Sequence, residues 1–230
     1  RRNLLDQFDA ERGELDRSLR YSSYDKIRLQ ALELATSESI RTALDIRQES
    51  DELRAKYGYH LFGQSCLMGR RIIEAGSRFV TVAWDSTAGT DGWDSHTSSH
   101  HLEKFLVPGF DQAFTALLED LEQSGLLDET LVVAVGEMGR TPTATGSWGR
   151  GHWSYVFPAI LAGAGIRGGI AYGKSDKDAA WPAEKPVSPE DLAATIFYAM
   201  GIDQNLFLPD QQGRPIHILD GGRPLVDLFG

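Results

Sequence analysis

A single cysteine, Cys66, stands among 230 residues, so no internal disulfide framework holds this chain together. Positive charge is also scarce: 23 Lys and Arg face 33 Asp and Glu, a net charge of −10. That balance lacks the basic footprint of a nucleic-acid-binding surface and offers nothing to an anionic lipid surface. No apolar run reaches membrane-spanning length. There is no internal repeat and no low-complexity linker. What is present is ordinary for a folded protein: 41% hydrophobic and 24% charged residues, in a chain long enough for one large domain or two small ones. The chain opens Arg1-Arg2-Asn3, without a methionine, and reads as a processed product or a piece cut from something longer.

The first third is expected to be helical. Leu4, Leu5, Phe8, Leu15 and Leu19 recur at roughly helical spacing, and Ile27, Leu29, Leu32 and Leu34 continue a broken version of it. Ser37 and Ser50 are placed to cap short helices, Gly58 to end one, and Ala75-Gly76 to stop the next. From residue 78 the texture changes. Arg78–Trp84 reads as a strand, 102–124 as a helix stopped by Gly125, and Leu131–Val135 as a strand buried on both faces. A third strand is expected over 155–161, at an edge or bulge because of Pro158. Ser188-Pro189-Glu190-Asp191 starts a last helix. These elements predict an α/β domain over 77–230, with a helical segment, 1–76, packing on it or capping it.

Three polar clusters carry candidate chemistry. Asp91-Gly92-Trp93-Asp94-Ser95-His96, followed by His100-His101, comes directly after a predicted strand, where ligands collect in open α/β sheets. Asp and His in a D-x-H pair suit one divalent ion. Gly136-Glu137-Met138-Gly139-Arg140-Thr141-Pro142 follows the buried strand. Glu137 there suits a metal or a proton, and Arg140 suits an oxyanion. An ion pair between the two is the equally weighted structural reading. Thr141 has a hydroxyl but no visible base. Gly149-Arg150-Gly151-His152-Trp153 is the third cluster. For His152 to join Asp94 and Glu137, the strand that follows it must run antiparallel to the other two. His60 and His217 read as packing or structural residues, and 163–169 as a glycine-rich turn.

The order of these parts is more specific than any one of them. Phe110 to Gly125, leading through Asp128-Glu129-Thr130-Leu131-Val132, resembles the alkaline phosphatase and sulfatase superfamily. The segments Gly92–His96, Gly136–Pro142, Gly149–Trp153 and Tyr172–Asp176 resemble one branch more closely still: the sulfatase-like domain-of-unknown-function family numbered fifteen hundred and one. The resemblance implies a three-layer αβα sandwich with a mostly parallel mixed sheet, incomplete here because the chain would be the C-terminal portion of a longer protein. It implies a divalent metal (zinc, manganese, magnesium or calcium) held by Asp94, His96 and His152, with His100 as an alternative ligand. Glu137 would serve a second ion, and Arg140 the substrate anion. It also implies export to the periplasm or cell surface. Three departures accompany it. The family's Asp-His pair is Glu137-Met138 here, and a thioether is a poor ligand for hard cations. Its Gly-Arg-Asp-His is Gly149-Arg150-Gly151-His152, without the carboxylate that would brace His152. The strand and helix that carry the superfamily's nucleophile have no counterpart before residue 78.

Two functions follow as expectations. One is a metal-dependent hydrolase of phosphate or sulfate esters, acting on a small molecule or a polysaccharide. The other is a hydrolase fold that has lost its chemistry and serves as a binding or scaffolding protein.

Overall fold

The computed structural model describes Arg28 and residues 37–84 and 92–230. The helices expected over 4–19 and 27–34 therefore lie outside the described residues, as does Asp91. The described residues fall into two compact units, one of 37–50 and 68–81, the other of 51–67 with 82–84 and 92–230.

In the first unit, α1 (Glu38–Leu44) starts after Ser37, and a 3₁₀ turn over Ile46–Gln48 follows it. The second half of a longer helix, α3 (Leu61–Glu74), belongs here too. A charge network holds the unit together. Glu49 accepts from Arg70 at 2.8 Å and from Arg71, while Arg70 also reaches Glu74 at 2.6 Å. Arg71 in turn donates to the carbonyls of Ala43 (2.9 Å) and Thr42 (2.7 Å), closing the C-terminal end of α1. Burial pushes the Glu49 carboxyl up, but the hydrogen bond from Arg71 and the charges and bonds of both arginines bring it net below the usual range.

The second unit is built on α2 (Asp51–Tyr57), the first half of α3, and α4 (Val107–Gln123), which continues a single π turn at Leu102–Leu106. Tyr57 is fully buried and donates its hydroxyl to Asp120 at 2.8 Å. Lys56 meets Glu119, and Gln112 donates to the Ala55 carbonyl, so α2 and α4 are fastened along their length. The expected glycine stops are where the chain turns: Gly58, Gly76 and Gly125 all have positive φ, which a side chain would oppose. A run of ring contacts, Phe62–Trp84 (4.3 Å), Trp84–Trp93 (5.3 Å), Trp93–Phe110 (6.2 Å) and Phe110–Phe114 (5.2 Å), links these helices to the two tryptophans that flank 85–91. Trp93 thereby anchors the segment that carries Asp94 and His96. His60 packs on Trp84, and its Nδ1 accepts from the Gly63 amide, which makes it a packing residue. Cys66 is buried, which pushes its thiol up to about 12 and leaves it unreactive.

The sheet differs from the expectation. Among the described residues the strands form four separate two-stranded antiparallel sheets, not a parallel layer between helices. β1 (Val132–Val135) pairs with β4 (Ala159–Ala162), Val132 opposite Ala162 and Val135 opposite Ala159. β2 (Gly139–Arg140) pairs with β3 (His152–Trp153), β5 (Lys174–Ser175) with β6 (Pro182–Glu184), and β7 (Phe207–Pro209) with β8 (Pro215–His217). The alkaline phosphatase-like sandwich is thus overturned. The physical reason lies between β1 and β4. A parallel pair needs a crossover, usually a helix, whereas residues 136–158 return without one. Arg78–Trp84 forms no ladder with the described residues, although Val80, Val82 and Trp84 are half-buried and their neighbours exposed, as in extended chain. The third strand begins at Ala159, immediately after Pro158, which cannot donate to a ladder. No helix among the described residues is long and apolar enough to cross a membrane.

The last helix, α5 (Pro189–Ala199), has the full capping box. The Ser188 hydroxyl accepts from the Asp191 amide at 3.1 Å, and the Asp191 carboxylate accepts from the Ser188 amide at 2.9 Å. The other Asp191 oxygen accepts from the Arg223 amide at 2.8 Å, and buried Thr195 accepts from the Leu225 amide at 3.0 Å, so one helix face docks the tail. The backbone bonds from Ser188 and then Arg223 hold the Asp191 carboxyl below its ordinary value. Asp191→Ala is expected to destabilise the protein by about 1–3 kcal/mol, as loss of a cap plus an unpaired amide. A carboxyl lowered by folding stabilises above its unfolded pKa and loses that effect as pH falls through the folded one. Urea unfolding at neutral and at acid pH should therefore separate wild type and variant widely at neutral pH and little below the carboxylate range.

Candidate functional site

The β2–β3 ladder sets Arg140 opposite His152. Period-two alternation then puts Trp153 on the other face, where it meets Tyr155 (5.1 Å) and Trp181 (5.6 Å) in a half-exposed aromatic group fixed by the Trp153 indole N–H on the Ala180 carbonyl. On the Arg140–His152 face, the segment after Trp93 closes in. Ser95 is buried and its carbonyl accepts from the Arg150 amide at 2.8 Å; the Ser99 hydroxyl donates to the Trp148 carbonyl at 2.6 Å. These bonds place His96 against His152, ring centroids 4.5 Å apart.

Within this cluster Asp94 Oδ1 is the hub. It accepts from the His96 amide at 3.1 Å, from His96 Nδ1, and from Arg140 Nη1 at 3.4 Å. A carboxylate can only accept, so a proton on Nδ1 serves the bond to Asp94 and leaves Nε2 of His96 for another partner; Arg140 Nη1 also lies 3.4 Å from Nδ1. The His96 amide, then its ring, then the charges of His96 and Arg140 hold the Asp94 carboxyl below its ordinary range. Those bonds are therefore kept at ordinary pH and lost only as pH falls through that lowered value. Asp94 is 63% exposed and His96 45%, whereas Arg140 is only 21% exposed. The guanidinium thus stands behind the carboxylate, and the imidazole faces outward.

Of the residues named from sequence, Asp94, His96, Arg140 and His152 come together. Glu137 does not. It lies exposed in the bend before β2 and makes no hydrogen bond or ion pair with the described residues, so the alternative Glu137–Arg140 pair is not formed either. His100 is also exposed and stands outside the cluster; His101 instead meets the Gly92 carbonyl at 3.1 Å. Thr141 is structural: its hydroxyl donates to the Thr143 carbonyl and accepts from the Gly151 amide. Sequence reading assigned nothing to Arg150. Its glycine neighbours were the available signal, since paired glycines often mark close backbone approach.

The donors suit a divalent cation in kind, one carboxylate and two imidazoles. In placement, Asp94 Oδ1 and His96 Nδ1 are bonded to each other, while His152 packs against the His96 ring. Among the described residues no three His, Cys, Asp or Glu side chains are grouped to hold a metal ion. What the arrangement has as it stands is an Asp–His dyad with an outward ring nitrogen, a second imidazole and a guanidinium. It can hold a proton at His96 Nε2 and attract an anion to Arg140.

The chain belongs to the family described as "Protein of unknown function (DUF1501)", whose sequence pattern matches residues 1–229. No curated protein matches it, and no solved structure does.

Proposed function

We propose that this member of the family is a divalent-metal-dependent hydrolase of phosphate or sulfate esters, and that the Asp94–His96–Arg140–His152 cluster receives the anionic end of the substrate. One observation supports the reading above the others: three segments far apart in sequence bring a carboxylate, two imidazoles and a guanidinium to one solvent-facing spot. Asp94, His96 and His152 would hold the cation, which when bound polarises an ester oxygen. Arg140 orients the anion. Asp94 accepts from His96 Nδ1 and fixes the ring, which leaves Nε2 to the cation. A second reading, a binding or scaffolding protein, draws on a different observation, the separation of Glu137 from the cluster.

The two readings part on metal content and turnover. Purified protein is expected to carry a divalent metal at near stoichiometry and to hydrolyse p-nitrophenyl phosphate or sulfate. Asp94→Ala combined with His152→Ala should lower metal affinity at least about 100-fold, more than loss of an outer partner does, and abolish hydrolysis. No metal and no turnover in wild type would overturn the hydrolase reading and leave the binding role.

A further inference from the structure

We infer that Arg150 is the positioning residue of this cluster, holding Arg140 against Asp94 without touching the ligand itself; this rests on the cluster being a binding site. Arg150 joins the separate segments. Its amide donates to the Ser95 carbonyl at 2.8 Å, between Asp94 and His96. Its Nη1 donates to the carbonyls of Thr141 (2.6 Å) and Pro142 (2.7 Å), the two residues after Arg140. The Gly151 carbonyl accepts from the Thr141 amide at 3.0 Å, which closes the same loop onto the residue before His152. The backbone around Arg150 thus fixes the imidazoles, and its side chain fixes the end of β2 that carries Arg140. Both side-chain bonds come from one nitrogen. A lysine ammonium, with three donors, can reproduce them, and a methionine of similar length cannot.

The division of labour gives a selective test on the full chain. Two contacts are read by NMR: between the His96 and His152 rings, and between the Arg140 side chain and the His96 ring, where Arg140 Nη1 lies 3.4 Å from His96 Nδ1. Inorganic phosphate binding is followed by calorimetry. Arg150→Met is expected to lose the Arg140–His96 contact, keep the His96–His152 contact and weaken phosphate about 10-fold or more. Arg150→Lys is expected to match wild type in all three. A folded Arg150→Met that keeps the Arg140–His96 contact and full phosphate affinity would overturn the inference. So would loss of both contacts together, which a general structural role predicts. Should Arg150→Met fail to fold, Arg150→Lys decides: wild-type contacts support the inference, and a lost Arg140–His96 contact ends it. If wild type binds no phosphate, the site reading fails, and the two NMR contacts still judge Arg150.

Discussion

Glu49→Ala is expected to cost about 3 kcal/mol of stability, near the lower end for breaking a buried ion pair. The variant removes the acceptor shared by two guanidinium groups that folding has largely removed from water: the Arg70 side chain is 7% exposed and that of Arg71 11%. The lower end applies because neither cation is left wholly unpaired. Arg70 keeps Glu74, and Arg71 keeps the Ala43 and Thr42 carbonyls. Glu49→Gln retains an acceptor of the same shape and should cost less, about 1–2 kcal/mol. The sign with pH follows from the lowered Glu49 carboxyl. Its contribution is present above the ordinary glutamate range and disappears as pH falls through the folded value. Urea midpoints of wild type and Glu49→Gln should therefore converge in acid and separate at neutral pH. A constant separation across that range would mean that the charge on Glu49 is not what the arginines need.

The helices of the described residues were legible because their signals are local. Ser188 and Asp191 cap α5 reciprocally, and Gly58, Gly76 and Gly125 sit at positive φ where an L side chain is opposed. The sheet was not, because pairing direction is not a local property. Leu131–Val135 has the apolar texture of a strand within a parallel sheet, yet what sets its partner is the irregular return through 136–158. The two- and three-residue strands carry too little sequence for any period to show. The site divided along the same line. Asp94 and His96 share a short turn, so their pairing was readable from spacing. Arg140 and His152 joined them through a two-residue ladder that no pattern announced. Glu137 was grouped with Arg140 by nearness in sequence, but the bend before β2 leaves it outside.

The glycines on either side of Arg150 are expected to respond oppositely to substitution. A Cβ on Gly149 would lie 2.1 Å from the His96 carbonyl oxygen and 2.9 Å from its carbon. That obstacle is backbone, so the segment carrying Asp94 and His96 has to move. Gly149→Ala should cost about 1–3 kcal/mol through overpacking, and separate the His96 and His152 rings. A Cβ on Gly151 meets only Thr141 Cγ2, at 3.6 Å, an ordinary contact. Gly151→Ala should therefore lie within about 0.5 kcal/mol of wild type. Gly151→Asp, which introduces a carboxylate beside His152, should also fold, because the backbone there has room for a side chain. Thermal unfolding and the His96–His152 ring contact, measured on all three variants, check the contrast. If Gly149→Ala were as benign as Gly151→Ala, close approach of 149 to the His96 carbonyl would not be what builds the cluster. If Gly151→Asp folds and tightens metal binding, a carboxylate beside His152 strengthens a site whose frame has room for it.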